Sequence, residues 1–334
     1  MNAERLHAIT NAYRRLKVVV AGDFCLDRYL HIDPALEEVS LETHLPAHQV
    51  VAVRPQPGGA GNVLANVAAL APAEVRTVGV IGDDAEGLEL ARVLAGLGAD
   101  LGGLIRSDRR RTFTYTKPIV VAPDGRGTEL SRLDIKDRMP MQADLASAVA
   151  ECLSAAAGDA DAVILMEQVG HPAHGALPAP VKAALADIAA RRRAGTVFIA
   201  DSRADVVGFR GVDVKVNRDE LHRAAGEGPV DQAAAALARR IGRRAFVTLG
   251  ADGMLAAEPD GDVRRAPGIR VEGAVDIVGA GDAVLAHLAM ALAAGASVDE
   301  AMNLANLAGS VVVGKLGTTG TATVPELAAA AEAR

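Results

Sequence analysis

The run Asp276-Ile277-Val278-Gly279-Ala280-Gly281-Asp282 ends where an apolar helical pattern begins. Two glycines and an alanine let backbone amides approach an anion closely, and the start of a helix adds unpaired N–H groups and a positive dipole end. Asp282 at that spot could take a proton from an attacking hydroxyl. On spacing alone, a Gly-rich turn with Asp282 as helix N-cap describes the run equally well. Near the start, Gly22-Asp23-Phe24-Cys25-Leu26-Asp27 follows the first apolar run. Open α/β sheets hold ligands at such strand ends, where Asp23 and Asp27 could accept hydrogen bonds from sugar hydroxyls; each taken singly also reads as a solvated loop carboxylate. Pro57-Gly58-Gly59-Ala60-Gly61-Asn62 then opens a helix. Its glycines permit close approach to a ligand and Asn62 brings a donor and an acceptor; a tight turn with an Asn cap fits too. Asn217-Arg218-Asp219-Glu220 has capping-box spacing, and Glu220 could also organise hydrated magnesium beside phosphates. The two roles are compatible.

Other patterns lead elsewhere. The sequence from Gly279 lacks the third glycine of a dinucleotide fingerprint. Gly309 to Leu316 approaches a P-loop, but Leu316 stands where Ser or Thr would hold magnesium. His44 and His48 flank Pro46 with no His-Glu-x-x-His helix, which argues against zinc. His171 and His174 beside Pro172 read as loop residues, Cys25 as a buried inert thiol, and the triplets at 109–111 and 191–193 as solvated charge.

The elements that must position these residues can be read from apolar periodicity. Strands are expected at 18–21, 75–81, 162–166, 197–200, 212–216 and 245–249, and helices at 62–70, 85–97, 141–157, 180–193 and 231–241. The alternation predicts an α/β fold, a mainly parallel sheet covered by helices on both faces. Residues 31–53 and 111–133 break the rhythm with strand-like pieces at 49–53, 112–121 and 128–133, and Pro123-Asp124-Gly125 marks a hairpin turn. They predict a small accessory sheet. From Asp282 onward the chain is expected to be helical and Ala-rich.

Composition bounds the rest. With 334 residues and 50% hydrophobic positions the chain can bury a large core, which excludes general disorder. Aromatics are 2% and Trp is absent, so Ala, Val and Leu must fill that core. A net charge of −7 argues against nucleic-acid binding. Two distant cysteines argue for a reducing compartment, the cytoplasm, and no stretch has the length of a membrane span or the form of a signal peptide.

In this order the motifs resemble the ribokinase-like, or PfkB, sugar kinase family: Gly22-Asp23 to Asp27, Gly58-Gly59 to Asn62, Asn217 to Glu220, Val247-Thr248-Leu249-Gly250 with Gly253, and Gly279 to Asp282. Residues 22–29, 114–117, 132–134 and 305–318 are most similar to the heptose-7-phosphate kinase half of ADP-heptose synthesis enzymes. The resemblance implies one ribokinase-like domain over 1–334, with lid insertions at about 28–56 and 110–134 that also join a homodimer. It implies ATP and Mg2+, Asp282 as catalytic base, and the amides of Gly279, Ala280 and Gly281 as an anion hole. Asn217 and Glu220 would serve the magnesium, Thr248, Gly250, Gly253, Asn303 and Asn306 the nucleotide. Asp23, Asp27, Gly58, Gly59, Asn62, Lys117 and Arg132 would hold the sugar or sugar phosphate, and Asp276 would belong to a monovalent-cation loop, for an ion such as K+. Three features depart from the family pattern: Ile277-Val278 replace its Thr, Ser40 to Pro46 its lid stretch, and Glu167 to His171 its Asp-Tyr and Lys-Gly. At 334 residues the sequence is not expected to include the nucleotidyltransferase half. A kinase for an unphosphorylated sugar or nucleoside, and a non-catalytic nucleotide or sugar sensor, remain the alternatives.

Overall fold

The computed structural model describes residues 2–122, 124–317 and 319–333. In chain order the elements are α1 (Ala3–Ala12), β1 (Lys17–Gly22), β2 (Phe24–Ile32), β3 (Glu38–Val39), β4 (Pro46–Ala47), β5 (Val50–Gly59), α2 (Ala60–Ala68), β6 (Glu74–Gly82), α3 (Ala85–Gly96), β7 (Asp100–Ser107), β8 (Thr114–Val121), β9 (Gly127–Glu129) and β10 (Leu133–Ile135). They continue with α4 (Ala143–Ala157), β11 (Ala162–Glu167), α5 (Ala179–Ala190), β12 (Val197–Ser202), β13 (Asp213–Asn217), α6 (Arg218–Ala225), α7 (Val230–Ile241), β14 (Ala245–Thr248), β15 (Met254–Ala257), β16 (Val263–Ala266), α8 (Ala280–Ala293), α9 (Val298–Val313) and α10 (Val324–Glu332).

Among the described residues the main sheet has nine strands in the order β16-β15-β14-β13-β12-β11-β1-β6-β7, antiparallel only at the β14, β15 and β16 edge. Its parallel strands are continuous apolar runs because both faces are covered. The two-residue period splits them: Val18, Val20, Ile164 and Ile199 face a core with α1, α2, α8, α9 and α10, while Val19, Ala21, Val163, Leu165 and Val214 face α4, α5 and α7. Small side chains such as Ala286, Ala289, Ala305 and Ala308 line the buried sides of α8 and α9. Capping boxes start α6, α9 and α10, each worth about 1 kcal/mol.

The chain leaves β1 toward β6 and β7, then returns to β11 on β1's other side. The crevice beyond the C-terminal ends of β1 and β11 is therefore the topological switch point, where such sheets bind ligands. Above it stands the small sheet, ordered β10-β8-β2-β5 with β9 on β8. The β8–β9 pair is the expected hairpin, while Pro123 of its turn, and Thr318, lie outside the described residues.

The structure differs from the sequence reading in four places. The segment carrying Asp27 is not a loop: after Asp23 the chain enters β2 and crosses into the small sheet. Gly58 and Gly59 end strand β5, so they are sheet edge before they are turn. Strands β7, β15 and β16 were not expected, because Gly102-Gly103 and short alanine-rich runs blur the apolar pattern. Arg110 is buried, not solvated, bonding the carbonyls of Met139 and His174 and pairing with Asp137.

Candidate active site

Helix α8 is capped by Gly279, held at φ 81°, a left-handed conformation that favours glycine. A Cβ there would stand 2.6 Å from Thr319 Cγ2, so the position is closed sterically as well. Asp282 is thus three residues inside the helix and does not cap it. Its Oδ2 accepts a hydrogen bond from Asn62 Nδ2. Asn62 in turn is not a cap: Gly59 caps α2, and Asn62 sits in the first turn, nearly fully buried. Gly59 itself, at φ 56°, packs so closely that a Cβ would lie 2.5 Å from Asp23 O. Burial pushes the Asp282 carboxyl up to about 6, opposed by the Asn62 hydrogen bond and reinforced by Asp201. A carboxylate of that character accepts a proton readily near neutral pH.

The loop divides two cavities. One, of about 430 Å³, is lined by Asp282, Gly279 and Val278 together with Asp27, Gly58, Gly59, Asn62, Lys117, Arg132, Lys136, Gln168, Arg203 and Thr319. The strand period explains its wall: Asp27 pairs with Tyr115 and Tyr29 with Lys117 across β2 and β8, so these four side chains share one face. Lys117 Nζ donates to Asp27 at 3.0 Å and Tyr29 Oη at 3.1 Å. Burial pulls the Lys117 ammonium down, but Asp27 and Tyr29 outweigh it and hold its pKa above the usual lysine value. Arg132 and Lys136 both pair with Asp134 and lie over the Tyr115 ring.

The second cavity, of about 840 Å³, lies on the loop's other side against Ile277, Ala280 and Gly281. It is lined by Asn217, Thr248, Gly250, Gly253 and Asn306, with an apolar wall including Ile269, Val271 and Val284. Lys215 reaches into it from β13, and its Nζ lies 3.2 Å from where a Gly281 Cβ would stand. Burial pulls that ammonium down, but its contact with Asp201 outweighs the penalty and holds it charged. Among the described residues the amides of Gly279, Gly281 and Asp282 donate to no backbone carbonyl, whereas Ala280 donates to Ile277 O at 3.2 Å. Free amides, a helix N-terminus and a buried lysine thus converge on one spot suited to an anion.

Some expected site residues stand apart. Asp23 is buried and accepts from the backbone of Val169 at 2.9 Å and Ala176 at 2.6 Å, so its carboxylate fastens residues 168–176 and does not face the cavity. Both oxygens of Asp276 accept amides, those of Val278 and Gly317, which makes it a loop brace. Asn303 is exposed, donating to Asp299 O, and does not line the cavity. Glu220 closes the capping box with one oxygen at 2.8 Å from Asn217 N. Its other oxygen makes no hydrogen bond among the described residues, and burial, then Asp201, raise its carboxyl pKa. Cys25 is buried and its thiol pushed up by burial, hence inert. Lys215, Asp201, Arg203, Lys136, Gln168 and Thr319 were missed. A signal existed for Lys215 and Asp201, charges within or ending β-branched runs, where only a paired charge is tolerated.

Among the described residues no group of three or more His, Cys, Asp and Glu is arranged to hold a metal ion, and no helix is long and apolar enough to cross a membrane.

Residues 206–325 match the pfkB family carbohydrate kinase model. The chain is 38% identical over 327 residues to the bifunctional protein HldE of Halorhodospira halophila, covering 95% of this chain and 64% of that one. It is 32% identical over 324 residues to HldE of Gluconacetobacter diazotrophicus, again with 95% and 64% covered. The chain therefore spans somewhat less than two thirds of these relatives. Among solved structures, Arabidopsis thaliana ribokinase complexed with ribose and ATP superimposes with a TM-score of 0.67 at 21% identity, covering 95% of this chain and 98% of that one. Cryptococcus neoformans ribokinase in complex with ADP gives 0.58 at 19%, covering 96% and 99%. The fold is ribokinase-like.

Proposed function

The chain carries a pfkB family carbohydrate kinase domain, and from that premise we propose that it is an ATP-dependent kinase for a sugar phosphate of the heptose 7-phosphate kind. The observation that carries this reading is the partition. One glycine loop stands between an acceptor-sized cavity, lined in part by Asp282, and a larger, mostly apolar cavity fit for a nucleotide. In the proposed reaction the acceptor hydroxyl gives its proton to Asp282 while its oxygen bonds to the terminal phosphorus of ATP. The bond to the bridging oxygen breaks, and that electron pair stays on ADP. The amides of Gly279 and Gly281 and the Lys215 ammonium would hold the charge, since phosphoryl transfer depends mainly on positioning and electrostatics. Asn217, Thr248, Gly250, Gly253 and Asn306 would border the nucleotide. Magnesium arriving with the phosphates would supply neutralisation of their charge, and Glu220, with one oxygen free of hydrogen bonds among the described residues, would hold it through water.

A phosphorylated acceptor is favoured by charge. Four cations line the first cavity against two carboxylates, Asp27 and Asp282, and Arg132 and Lys136 share the single carboxylate of Asp134. The reading includes Asp27, Gly58, Gly59 and Asn62 as holders of the sugar ring, and a homodimer joined through the lid. A non-catalytic sensor has no use for a desolvated Asp282, which costs stability and offers only chemistry in return.

The test is ADP release with magnesium and ATP across heptose 7-phosphate, fructose phosphates, ribose and adenosine. We expect turnover with a phosphorylated acceptor and KM at least about tenfold higher for its unphosphorylated counterpart, a gap narrowed by Arg132→Gln, since a charge-assisted contact contributes about 1.5–3 kcal/mol. Equal use of ribose or adenosine would remove the phosphosugar assignment. ATP binding with silence across the panel would favour the sensor.

A further inference from the structure

We propose that Arg203 is a further catalytic residue, the cation that takes up the charge of the phosphoryl group as it crosses between the two cavities. This rests on the kinase reading above. Arg203 directly follows β12, at the C-terminal end of a central parallel strand. Its backbone is anchored: its N–H donates to Glu167 O at 3.0 Å, and the preceding Ser202 hydroxyl bonds the Glu167 carboxylate and receives the amides of Ala204 and Asp205. The side chain is exposed into the acceptor cavity.

Three observations single it out. First, every other cation lining that cavity already has a carboxylate: Lys117 has Asp27 at 3.0 Å, Arg132 has Asp134 at 2.6 Å, and Lys136 has Asp134 at 3.0 Å. The Arg203 guanidinium makes no hydrogen bond or ion pair among the described residues, so its donors are left for a ligand. Second, its charge reaches both sides of the partition, drawing down the carboxyls of Asp282 and of Glu220 beside the nucleotide cavity. Lys117, Arg132 and Lys136 instead stand on or beside the lid strands β8 and β10. Third, a planar guanidinium presents a fork of donors that matches the equatorial oxygens of a phosphoryl group in transit. As the bond to the bridging oxygen breaks and the bond to the acceptor oxygen forms, charge on those oxygens would be met by Lys215 and the loop amides from the nucleotide side and by Arg203 from the acceptor side. The proton goes to Asp282, so Arg203 need only stay charged.

The experiment compares wild type with Arg203→Gln and Arg203→Lys, each first checked for an unchanged Tm without ligand. With the best acceptor of the panel, Arg203→Gln should lose kcat by about 100-fold or more while KM for acceptor and ATP moves less than about threefold, and Arg203→Lys should recover part of the loss. A second readout needs no turnover: magnesium, ADP and aluminium fluoride with acceptor should raise the Tm of wild type and not of Arg203→Gln. A raised acceptor KM with kcat intact would overturn the proposal by making Arg203 a ligand of the acceptor's own anion. Unchanged kcat and an unchanged fluoride response would overturn it outright. If wild type neither turns over nor responds to the fluoride complex, the kinase reading itself fails, and the proposal with it.

Discussion

Asp282 is the residue where burial and chemistry meet. Its carboxyl is pushed up to about 6 because the loop and α8 remove water from it, and the Asn62 amide is what keeps it from rising further. The working form of a base is the ionised one, so kcat/KM should fall as pH drops through about 6. Replacing Asn62 with Ala removes the hydrogen bond to the charged form and should move that limb upward by up to about one pH unit. A pH–rate profile of both proteins checks it; an unmoved limb would mean that another group titrates. Stability changes with pH in the opposite direction. A folded pKa above the unfolded one means that ionisation costs folding energy, increasingly from the unfolded value near 4 up to about 6. The glycine loop made Asp282 legible from sequence alone, but Asn62 as its partner was not, because the two are 220 residues apart. Nor could sequence tell that the carboxylate of Asp23 is consumed by backbone amides.

At the level of elements, the parallel strands and their helices were legible because doubly covered strands are unbroken apolar runs and the helices repeat every three to four residues. The lid was harder to read. Its strands alternate apolar and charged residues, since one face carries Asp27, Tyr29, Tyr115 and Lys117 toward the cavity and the strands are short. The same lid exposes a large apolar surface: Leu41 is 92% exposed, Val39 65%, Leu45 63% and Val51 57%. Strand β5 is also the free edge of the sheet. Exposed apolar edges are sites of pairing between chains, and the homodimer proposed above would cover this one with a second copy of the chain. Light scattering should give twice the mass of one chain, and Val51→Lys with Val53→Lys should shift it to a monomer. A wild-type monomer at tens of micromolar would remove the dimer.

For the molecule as a whole, the strand order explains why residues so scattered in sequence form one site. Reversal at β1 and β11 opens a crevice, and residues at or just beyond the parallel strand ends line it: Gln168 after β11, Arg203 after β12, Asn217 on β13 and Thr248 on β14. Sequence motifs marked the glycine-bearing points of this ring and missed the charged ones: Asp201 and Lys215 are signalled only by standing as charges in apolar strands, and Arg203, just past a strand end, has no spacing signature. The buried Lys215–Asp201 pair joins the neighbouring strands β12 and β13 on one side of that crevice, and losing either partner would cost about 3–5 kcal/mol. All of these residues converge on the proposed transfer of a phosphoryl group at the glycine loop with Asp282 as base. It is tested most directly by acceptor-dependent ADP release from Asp282→Asn beside wild type, with ADP binding measured on both. A loss of about 100- to 10,000-fold in kcat is expected, with ADP affinity changed little. Near-full turnover in Asp282→Asn would contradict it.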